Sequence, residues 1–222
     1  MTVLHTEGIG MTSRRTRERM IRRLVDQGIQ HEDILDAMRN VPRHLFVDDA
    51  LASRSYEDTA LPIGHGQTIS QPYIVAKMTE LLVANKPPLK KVLEIGTGCG
   101  YQAAVLAQIV GHVYSVERIR PLYQQAKDLL TNLHINNISF LHSDGSWGWQ
   151  EKGLFDGILV AAAPPDIPES LLQQLAVGGT MLIPIGVSRT QQVLKRVTRT
   201  TSGYDIENLE TVSFVPFLAG VN

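Results

Sequence analysis

The stretch VLEIGTGCGYQAA (residues 92–104) decides the fold of this 222-residue chain. Its first four residues predict a short buried strand, a turn with three glycines follows, and Tyr101 begins a predicted helix over residues 101–110. In doubly wound α/β sheets such a turn lies at the carboxyl end of a strand, where glycine lets the backbone approach a ligand closely. The stretch therefore predicts an α/β fold with a ligand site at this turn.

Strands and helices continue to alternate after this stretch. Repeated β-α units with right-handed crossovers imply a doubly wound, mostly parallel sheet. The last two strands read as an antiparallel pair joined at Ser202-Gly203. Pro184 is expected at a strand end or at a sheet edge, and Gly178-Gly179 is expected to close a helix that has Pro168 in its first turn. The predicted strands cover residues 112–117, 138–142, 155–162, 180–185, 191–199 and 206–215, and the further helices cover residues 167–175 and a segment beginning near Pro121.

The residues before the glycine turn predict an N-terminal helical extension. Residues 1–10 read as a loose tail. Six arginines from Arg14 to Arg23 lie on an amphipathic helix, which is typical of a solvated face and, less often, of a nucleic-acid surface. A second helix is predicted over residues 32–39, and residues 61–70 read as a loop, after which Ser70 is expected to cap a helix with Pro72 in its first turn.

We interpret the whole chain, residues 1–222, as one domain. It comprises the tail (1–10), the N-terminal helices with a substrate loop (11–88), and the ligand-binding sheet with the C-terminal strands (89–222).

Composition narrows the possible partners. Lys and Arg total 21 and Asp and Glu total 22, so a net charge of -1 gives no general attraction to nucleic acid or to an anionic membrane. No apolar run approaches the ~18 residues of a membrane span, and the single cysteine, Cys99, suits a reducing compartment. The chain is expected to be cytoplasmic and monomeric, without nucleic-acid or membrane partners.

The residues around the glycine turn point to a nucleoside ligand without a pyrophosphate. The dinucleotide pattern G-x-G-x-x-G requires a sixth-position glycine where Tyr101 stands. Glu117 ends the next predicted strand, 19 residues after Gly98, where a carboxylate accepts from both ribose hydroxyls. Asp144 follows the third strand and is expected to accept from an adenine amino group. S-adenosylmethionine fits these features, whereas Asp156 begins a strand at the opposite end and is expected to be structural.

These motifs resemble a known family. The glycine turn, SVER (residues 115–118) and Asp144-Gly145 are similar to the cofactor motifs of class I S-adenosylmethionine-dependent methyltransferases. LPIGHGQTISQPYIVAKM (61–78), FDGILVAAAPPDIP (155–168), GGTMLIPIG (178–186) and VSFVPF (212–217) resemble the protein-L-isoaspartate O-methyltransferases. The similarity runs from about Met11 almost to the last residue. Cys99, where a serine is usual, and Ser143, where a glycine is common, are modest departures.

The resemblance implies an activity and its residues. The family transfers a methyl group from S-adenosylmethionine to the α-carboxylate of L-isoaspartyl residues in damaged proteins and peptides, and the ester then closes to a succinimide that reopens partly as aspartate. Ser70 matches the family's active-site serine. The resemblance assigns cofactor binding to Glu94, Gly96, Thr97, Gly98, Gly100, Glu117, Arg118, Asp144 and Gly145, and substrate binding to Ile63, Gly64, Thr68, Ile69 and Val215.

Three other functions remain open from the sequence. A nicotinamide-dependent oxidoreductase is disfavoured by Tyr101, and a non-catalytic nucleoside-binding regulator would use the arginine-rich helix. The nearest alternative is a methyltransferase acting on another small acid or an RNA base, against which only the 61–78 loop argues. The seven histidines show no metal-ligand spacing, so no metal is expected. His65 lies in the substrate loop, where a contact at the rim is as plausible as simple exposure to solvent.

Overall fold

The computed structural model describes residues 6–84, 87–188 and 191–222. Within these residues the helices are α1 (Arg14–Asp26), α2 (Glu32–Asn40), α3 (Pro72–Val83), α4 (Tyr101–Ala107), α5 (Arg120–Asn132) and α6 (Glu169–Gln173). The strands are β1 (Leu61–Pro62), β2 (Thr68–Ile69), β3 (Lys91–Ile95), β4 (His112–Glu117), β5 (Ile138–His142), β6 (Phe155–Val160), β7 (Leu175–Ile185), β8 (Gln192–Arg199) and β9 (Tyr204–Val212). None of the helices in the described residues is long and apolar enough to cross a membrane.

A seven-stranded sheet forms the centre of the molecule, in the order β5-β4-β3-β6-β7-β8-β9. The first five strands in this order (β5, β4, β3, β6 and β7) are parallel. Strand β8 pairs antiparallel with β7, and β9 pairs antiparallel with β8. The predicted fold class is confirmed. Because the chain moves from β3 first to β4 and later to β6 on its other side, the strand order reverses beside β3. Ligands of open α/β sheets bind at the carboxyl ends of the strands at such a point.

Alternate residues of the strands pack into two apolar layers. Val92 of β3 faces the layer to which α1, α2, α3, α4 and α5 contribute. Leu93 faces the other layer, where Leu171 and Leu172 of α6 pack. The N-terminal helices therefore cover one face of the sheet and support the segments that surround the carboxyl end of β3.

Several predicted element boundaries are wrong, in α4, in α6 and at the start of β7. Helix α4 ends at Ala107, and α6 covers only Glu169–Gln173. The glycine pair Gly178-Gly179 does not close α6 but lies within β7, where the pairing with β6 shifts register. A Cβ on Gly179 would lie 2.8 Å from the carbonyl oxygen of Ala176, so the irregularity requires glycine. Pro184 is near the end of β7, as predicted, although this strand is internal.

The N-terminal segment is more ordered than predicted. Residues 1–5 of the predicted tail lie outside the described residues, but Thr6 accepts a hydrogen bond through its carbonyl from Arg17 Nη2 at 2.8 Å. Arg17 is buried and also donates to the carbonyl of Arg39, and Arg23 donates to the carbonyl of Tyr56 at 2.6 Å. The predicted solvated arginine face is therefore wrong for two of its six members, which bind the neighbouring segments.

Candidate active site

The glycine turn connects β3 to α4 through backbone conformations that favour glycine. Gly96, Gly98 and Gly100 have φ values of 93°, 55° and 89°, in a region that costs a residue with a side chain extra energy. A Cβ on Gly100 would lie 2.8 Å from Leu130 Cδ1, so this glycine allows α4 to begin close to α5. A Cβ on Gly98 would lie 3.3 Å from Ile63 Cδ1.

The carboxylate of Glu117 holds this turn from the neighbouring strand. Its Oε2 accepts from Gly98 N at 2.8 Å, and its Oε1 accepts from Ile119 N at 2.9 Å. An ionised carboxylate has about four acceptor sites, so each oxygen retains capacity for a ligand donor. Glu117 also lines an open cavity at the carboxyl ends of β3, β4 and β6.

An open cavity of about 850 Å³ lies at the carboxyl ends of β3, β4 and β6. Ten predicted site residues line it: Thr68, Ile69, Ser70, Gly96, Thr97, Gly98, Glu117, Arg118, Gly145 and Val215. The fold thus brings together the glycine turn, the end of β4, the substrate loop and the C-terminal segment.

Five predicted site residues do not line this cavity. Ile63 and Gly64 instead line a second cavity of about 960 Å³ beside α5, which shares Cys99 with the first. Gly100 forms the start of α4 behind the turn. Glu94 and Asp144 lie beneath the wall, and each is fixed by protein contacts.

Glu94 is fully buried below the glycine turn. Ser115 Oγ donates to its Oε2 and lies 2.5 Å from Thr97 Oγ1. The other carboxyl oxygen, Oε1, has no hydrogen-bond partner among the described residues. Burial raises the pKa of Glu94 to about 8, and the nearby Glu117 charge adds to this. Glu94 therefore carries a proton near neutral pH.

Asp144 binds the C-terminal segment. Its carboxylate accepts from Ser146 N at 2.8 Å and from Gly220 N at 2.5 Å. Desolvation raises the pKa of Asp144, but these hydrogen bonds outweigh it and the pKa is lowered. Arg118 Nε donates to the carbonyl of Gly220 at 2.8 Å. These contacts hold residues 214–222 against the sheet, and the segment supplies Phe217 and Leu218 to the cavity wall.

Ser70 lies where the substrate loop meets the cavity, but it does not cap α3 as predicted. The residue at the N-cap position is Gln71, without a side-chain cap. Asp58, distant in sequence, accepts from Tyr73 N at 3.0 Å and takes over the capping role. Ser70 lines the cavity, and its hydroxyl forms no hydrogen bond with another described residue.

The substrate loop is a small hairpin. Strands β1 and β2 pair Leu61 with Ile69 and Pro62 with Thr68. His65 lies at the exposed tip with a φ of 52°, and it lines neither cavity. Within the described part of the chain, no group of three potential metal ligands comes together.

Sequence reasoning missed several residues of the site. Arg43 is fully buried and donates through Nη2 to the carbonyl of Ser70 at 2.7 Å. Its only signal was a cation inside the apolar run VPRHLF (residues 41–46). The cavity wall also contains the unpredicted residues Gln67, Val75, Cys99, Gln102, Ala161, Phe217 and Leu218, whose approach depends on the tertiary fold.

Comparisons with known proteins show the family of this chain. A family model described as Protein-L-isoaspartate(D-aspartate) O-methyltransferase matches residues 15–222. The chain belongs to this family. A protein-L-isoaspartate O-methyltransferase of Cellvibrio japonicus is 56% identical over 222 residues, covering 99% of both chains. That of Methylobacillus flagellatus is 58% identical over 217 residues, covering 97% of each.

Solved structures of the family have the same fold. A protein-L-isoaspartate O-methyltransferase matches 93% of this chain and 67% of its own with a TM-score of 0.84 at 29% identity. A Plasmodium falciparum protein described as a beta-aspartate methyltransferase, solved in complex with S-adenosyl-L-homocysteine, matches 91% of this chain and 98% of its own, with a TM-score of 0.78 at 28% identity. The predicted family is confirmed, and the alternative of another small acid or an RNA base is not favoured.

Proposed function

We propose that this family member transfers a methyl group from S-adenosylmethionine to the α-carboxylate of L-isoaspartyl residues in damaged proteins and peptides. The observation that carries the proposal is one cavity whose wall contains the glycine turn, Glu117 and Ser70. The glycine turn and Glu117 suit a nucleoside, and the Ser70 hydroxyl suits a carboxylate that accepts the methyl group on oxygen. The family membership supports the same activity.

The residues present fit the cofactor. Gly96, Thr97 and Gly98 offer backbone without bulky side chains, and Glu117 retains acceptor sites for ribose hydroxyls. Arg118 and Gly145 complete this part of the wall. At Gly145 a Cβ would lie 2.5 Å from Ile95 Cγ2, so a side chain has no room. The proposed supporting residues behind the wall are Glu94, Gly100 and Asp144.

The chemistry requires no residue to remove a proton. When bound, S-adenosylmethionine supplies a methyl group on a positively charged sulfur. An α-carboxyl has a pKa of about 3.5, so the acceptor is already ionised at neutral pH. Glu117 is the only carboxylate in the described cavity wall, and both its oxygens accept backbone hydrogen bonds. Burial raises the pKa of Cys99 to about 11, which keeps this thiol protonated.

The wall around Ser70 is uncharged. Arg118 is the one Lys or Arg that lines the cavity within the described residues, and its Nε is bonded to Gly220. A cation on the acceptor would stabilise the ionised ground state more than a transition state in which its charge is being neutralised. Neutral donors such as the Ser70 hydroxyl orient the carboxylate without this cost. Ser70 therefore acts as an orienting group rather than as a nucleophile.

The proposed substrate contacts follow the wall from Ser70. Thr68, Ile69 and Val215 line the cavity beside it, while Ile63 and Gly64 face the adjoining second cavity. The methyl ester formed there loses methanol when the neighbouring backbone amide nitrogen attacks its carbonyl, whereas a carboxylate has no comparable leaving group. The ester closes without enzyme to a succinimide, which reopens partly as L-aspartyl.

Transfer of labelled methyl to an isoaspartyl peptide, beside its aspartyl twin, tests the function. We expect label only on the isoaspartyl peptide, and less of it with the Ser70→Ala variant. Equal labelling of both peptides, or labelling of neither by the folded wild type, would overturn the proposal. Mass spectrometry of enzyme incubated with cofactor alone adds a check, because a methylated Ser70 peptide would contradict direct transfer.

We further propose that the protein works in the cytoplasm as a monomer and binds neither nucleic acid nor membrane. The lone thiol of Cys99 suits a reducing compartment, and the net charge of -1 disfavours polyanions. Light scattering with size-exclusion chromatography tests the oligomeric state. Salt-sensitive binding to duplex DNA would instead favour a nucleic-acid role for the exposed arginines of α1.

A further inference from the structure

Arg43 is a fully buried cation behind the wall of the active site. Its Nε donates to the carbonyl of Ser55 and its Nη2 donates to the carbonyl of Ser70, both at 2.7 Å. Its guanidinium carbon lies 4.7 Å from the centre of the Tyr101 ring. One side chain thus contacts the N-terminal extension, the substrate loop and the start of α4.

The environment of Arg43 is costly for a charge. Burial lowers the pKa of Arg43 from its usual value. Within the described residues, its Nη1 and the hydroxyl of Tyr101 have no hydrogen-bond partner. No carboxylate forms an ion pair with it in the described part of the chain. A buried charge without a carboxylate partner contributes little net stability, so the two carbonyls that Arg43 binds are its main effect on the structure.

The contact with Ser70 restrains the backbone that carries the orienting hydroxyl. A bond to the Ser70 carbonyl restrains the peptide plane between Ser70 and Gln71. Asp58 restrains the next residues by accepting from the Gln71 side chain and from Tyr73 N, both at 3.0 Å. Because the Ser70 hydroxyl has no hydrogen-bond partner among the described residues, its direction depends on these backbone restraints.

We propose that Arg43 is a positioning residue for methyl transfer, which holds the Ser70 hydroxyl toward the acceptor carboxylate through the Ser70 carbonyl. The inference rests on the proposed function. Arg43 does not line the cavity, so it acts through Ser70 and not through contact with a ligand there. Arginine suits this position because its planar fork donates to two carbonyls in fixed directions while stacking on an aromatic ring, which a lysine ammonium does not do.

A double-mutant cycle between Arg43 and Ser70 tests the proposal. If Arg43 acts only through Ser70, then Arg43→Met and Ser70→Ala should each lower kcat by about tenfold, and the double variant should also lose about tenfold rather than a hundredfold. The affinity for S-adenosylhomocysteine, measured by calorimetry, should stay within about threefold of wild type in both single variants. Arg43→Lys should retain an intermediate kcat.

Leu24→Ala provides a matched control for lost stability. Leu24 is fully buried in α1 and belongs to the core rather than the cavity, so its variant should keep the wild-type kcat at temperatures where it remains folded. The positioning role would be overturned if the kcat of the double variant fell by the product of the two single effects. It would also be overturned if the Arg43→Met variant lost affinity for S-adenosylhomocysteine by as much as it lost kcat.

Two further outcomes, an Arg43→Met variant that does not fold and a wild type that is inactive, are also covered by the design. If Arg43→Met does not fold, Arg43→Lys takes its place in the same cycle: a fall in kcat that disappears in the Ser70→Ala background supports the proposal, and equal falls in both backgrounds contradict it. Wild type is assayed in parallel. Failure of wild type to methylate the isoaspartyl peptide would refute the proposed function, whereas multiplicative falls refute only the role of Arg43.

Discussion

Oε2 of Glu117 accepts a hydrogen bond from the backbone N–H of Gly98 at 2.8 Å. This bond joins the end of β4 to the middle of the glycine turn. The turn is therefore held in its ligand-ready shape by the same carboxylate that is proposed to bind ribose. Such preorganisation reduces the ordering cost of binding.

Replacing Glu117 should weaken cofactor binding. Glu117→Ala removes two charge-assisted hydrogen bonds to a ligand, so we expect the affinity for S-adenosylhomocysteine to fall by about 2–4 kcal/mol. Glu117→Gln retains one acceptor oxygen and should lose less. Calorimetry on the folded variants measures both effects. An unchanged affinity in Glu117→Ala would remove this residue from the binding site.

Replacements of Ser70 and Asp58 should differ in their effects on stability. Since Ser70 caps no helix, Ser70→Ala should change the free energy of unfolding by less than about 0.5 kcal/mol while lowering kcat by about tenfold. Asp58→Ala removes the acceptor for Tyr73 N and should destabilise the protein by about 1 kcal/mol. Urea unfolding beside steady-state kinetics distinguishes the two. A greater destabilisation by Ser70→Ala than by Asp58→Ala would contradict the capping by Asp58.

Glu94 should make stability depend on pH. Its pKa is about 8 in the folded protein and 4.5 in a free side chain. Between these values the folded state holds a proton that the unfolded state has released, so the free energy of unfolding should decrease as pH rises through this window. Glu94→Gln should flatten that slope. Urea unfolding at pH 5 and pH 8 checks this, and identical slopes in both proteins would exclude Glu94 as the cause.

Methyl transfer should show little dependence on pH near neutrality. Because the acceptor is already ionised, kcat should be nearly flat from about pH 6 to 8. His65 is exposed at the hairpin tip, so His65→Ala should give the same profile. A steep titration near pH 7 that this variant abolishes would identify a catalytic histidine instead.

The C-terminal segment should slow release of the cofactor product. Gly220 contacts both Asp144 and Arg118, and Asn222 N donates to the Arg118 carbonyl at 2.8 Å. Removing residues 219–222 should weaken binding of S-adenosylhomocysteine by about tenfold, or ~1.4 kcal/mol. Val221→Ala, at an exposed position of the same segment, serves as the control. Equal dissociation rates for the shortened and full-length chains would show that these contacts do not retain the ligand.

Prediction succeeded where the signal was local. The strand, glycine turn and helix that begin with Val92 are neighbours in sequence, and β4 and β5 have the predicted bounds. It failed where long-range pairing overrides local preference. Gly178-Gly179 resembles a helix end, but pairing with β6 draws it into β7.

The sequence by itself determined the sheet class, the family resemblance and the proposal of a nucleoside site beside Glu117, because spacing along a strand–turn–helix unit controls which groups reach the same edge of a sheet. Only the tertiary structure decided which groups support that site. Asp58 rather than Ser70 caps α3, Arg43 is buried against the Ser70 carbonyl, and Gly220 binds Asp144. These partners are 15, 27 and 76 residues apart, and such distant pairs are selected by packing and by the need to satisfy buried polar groups.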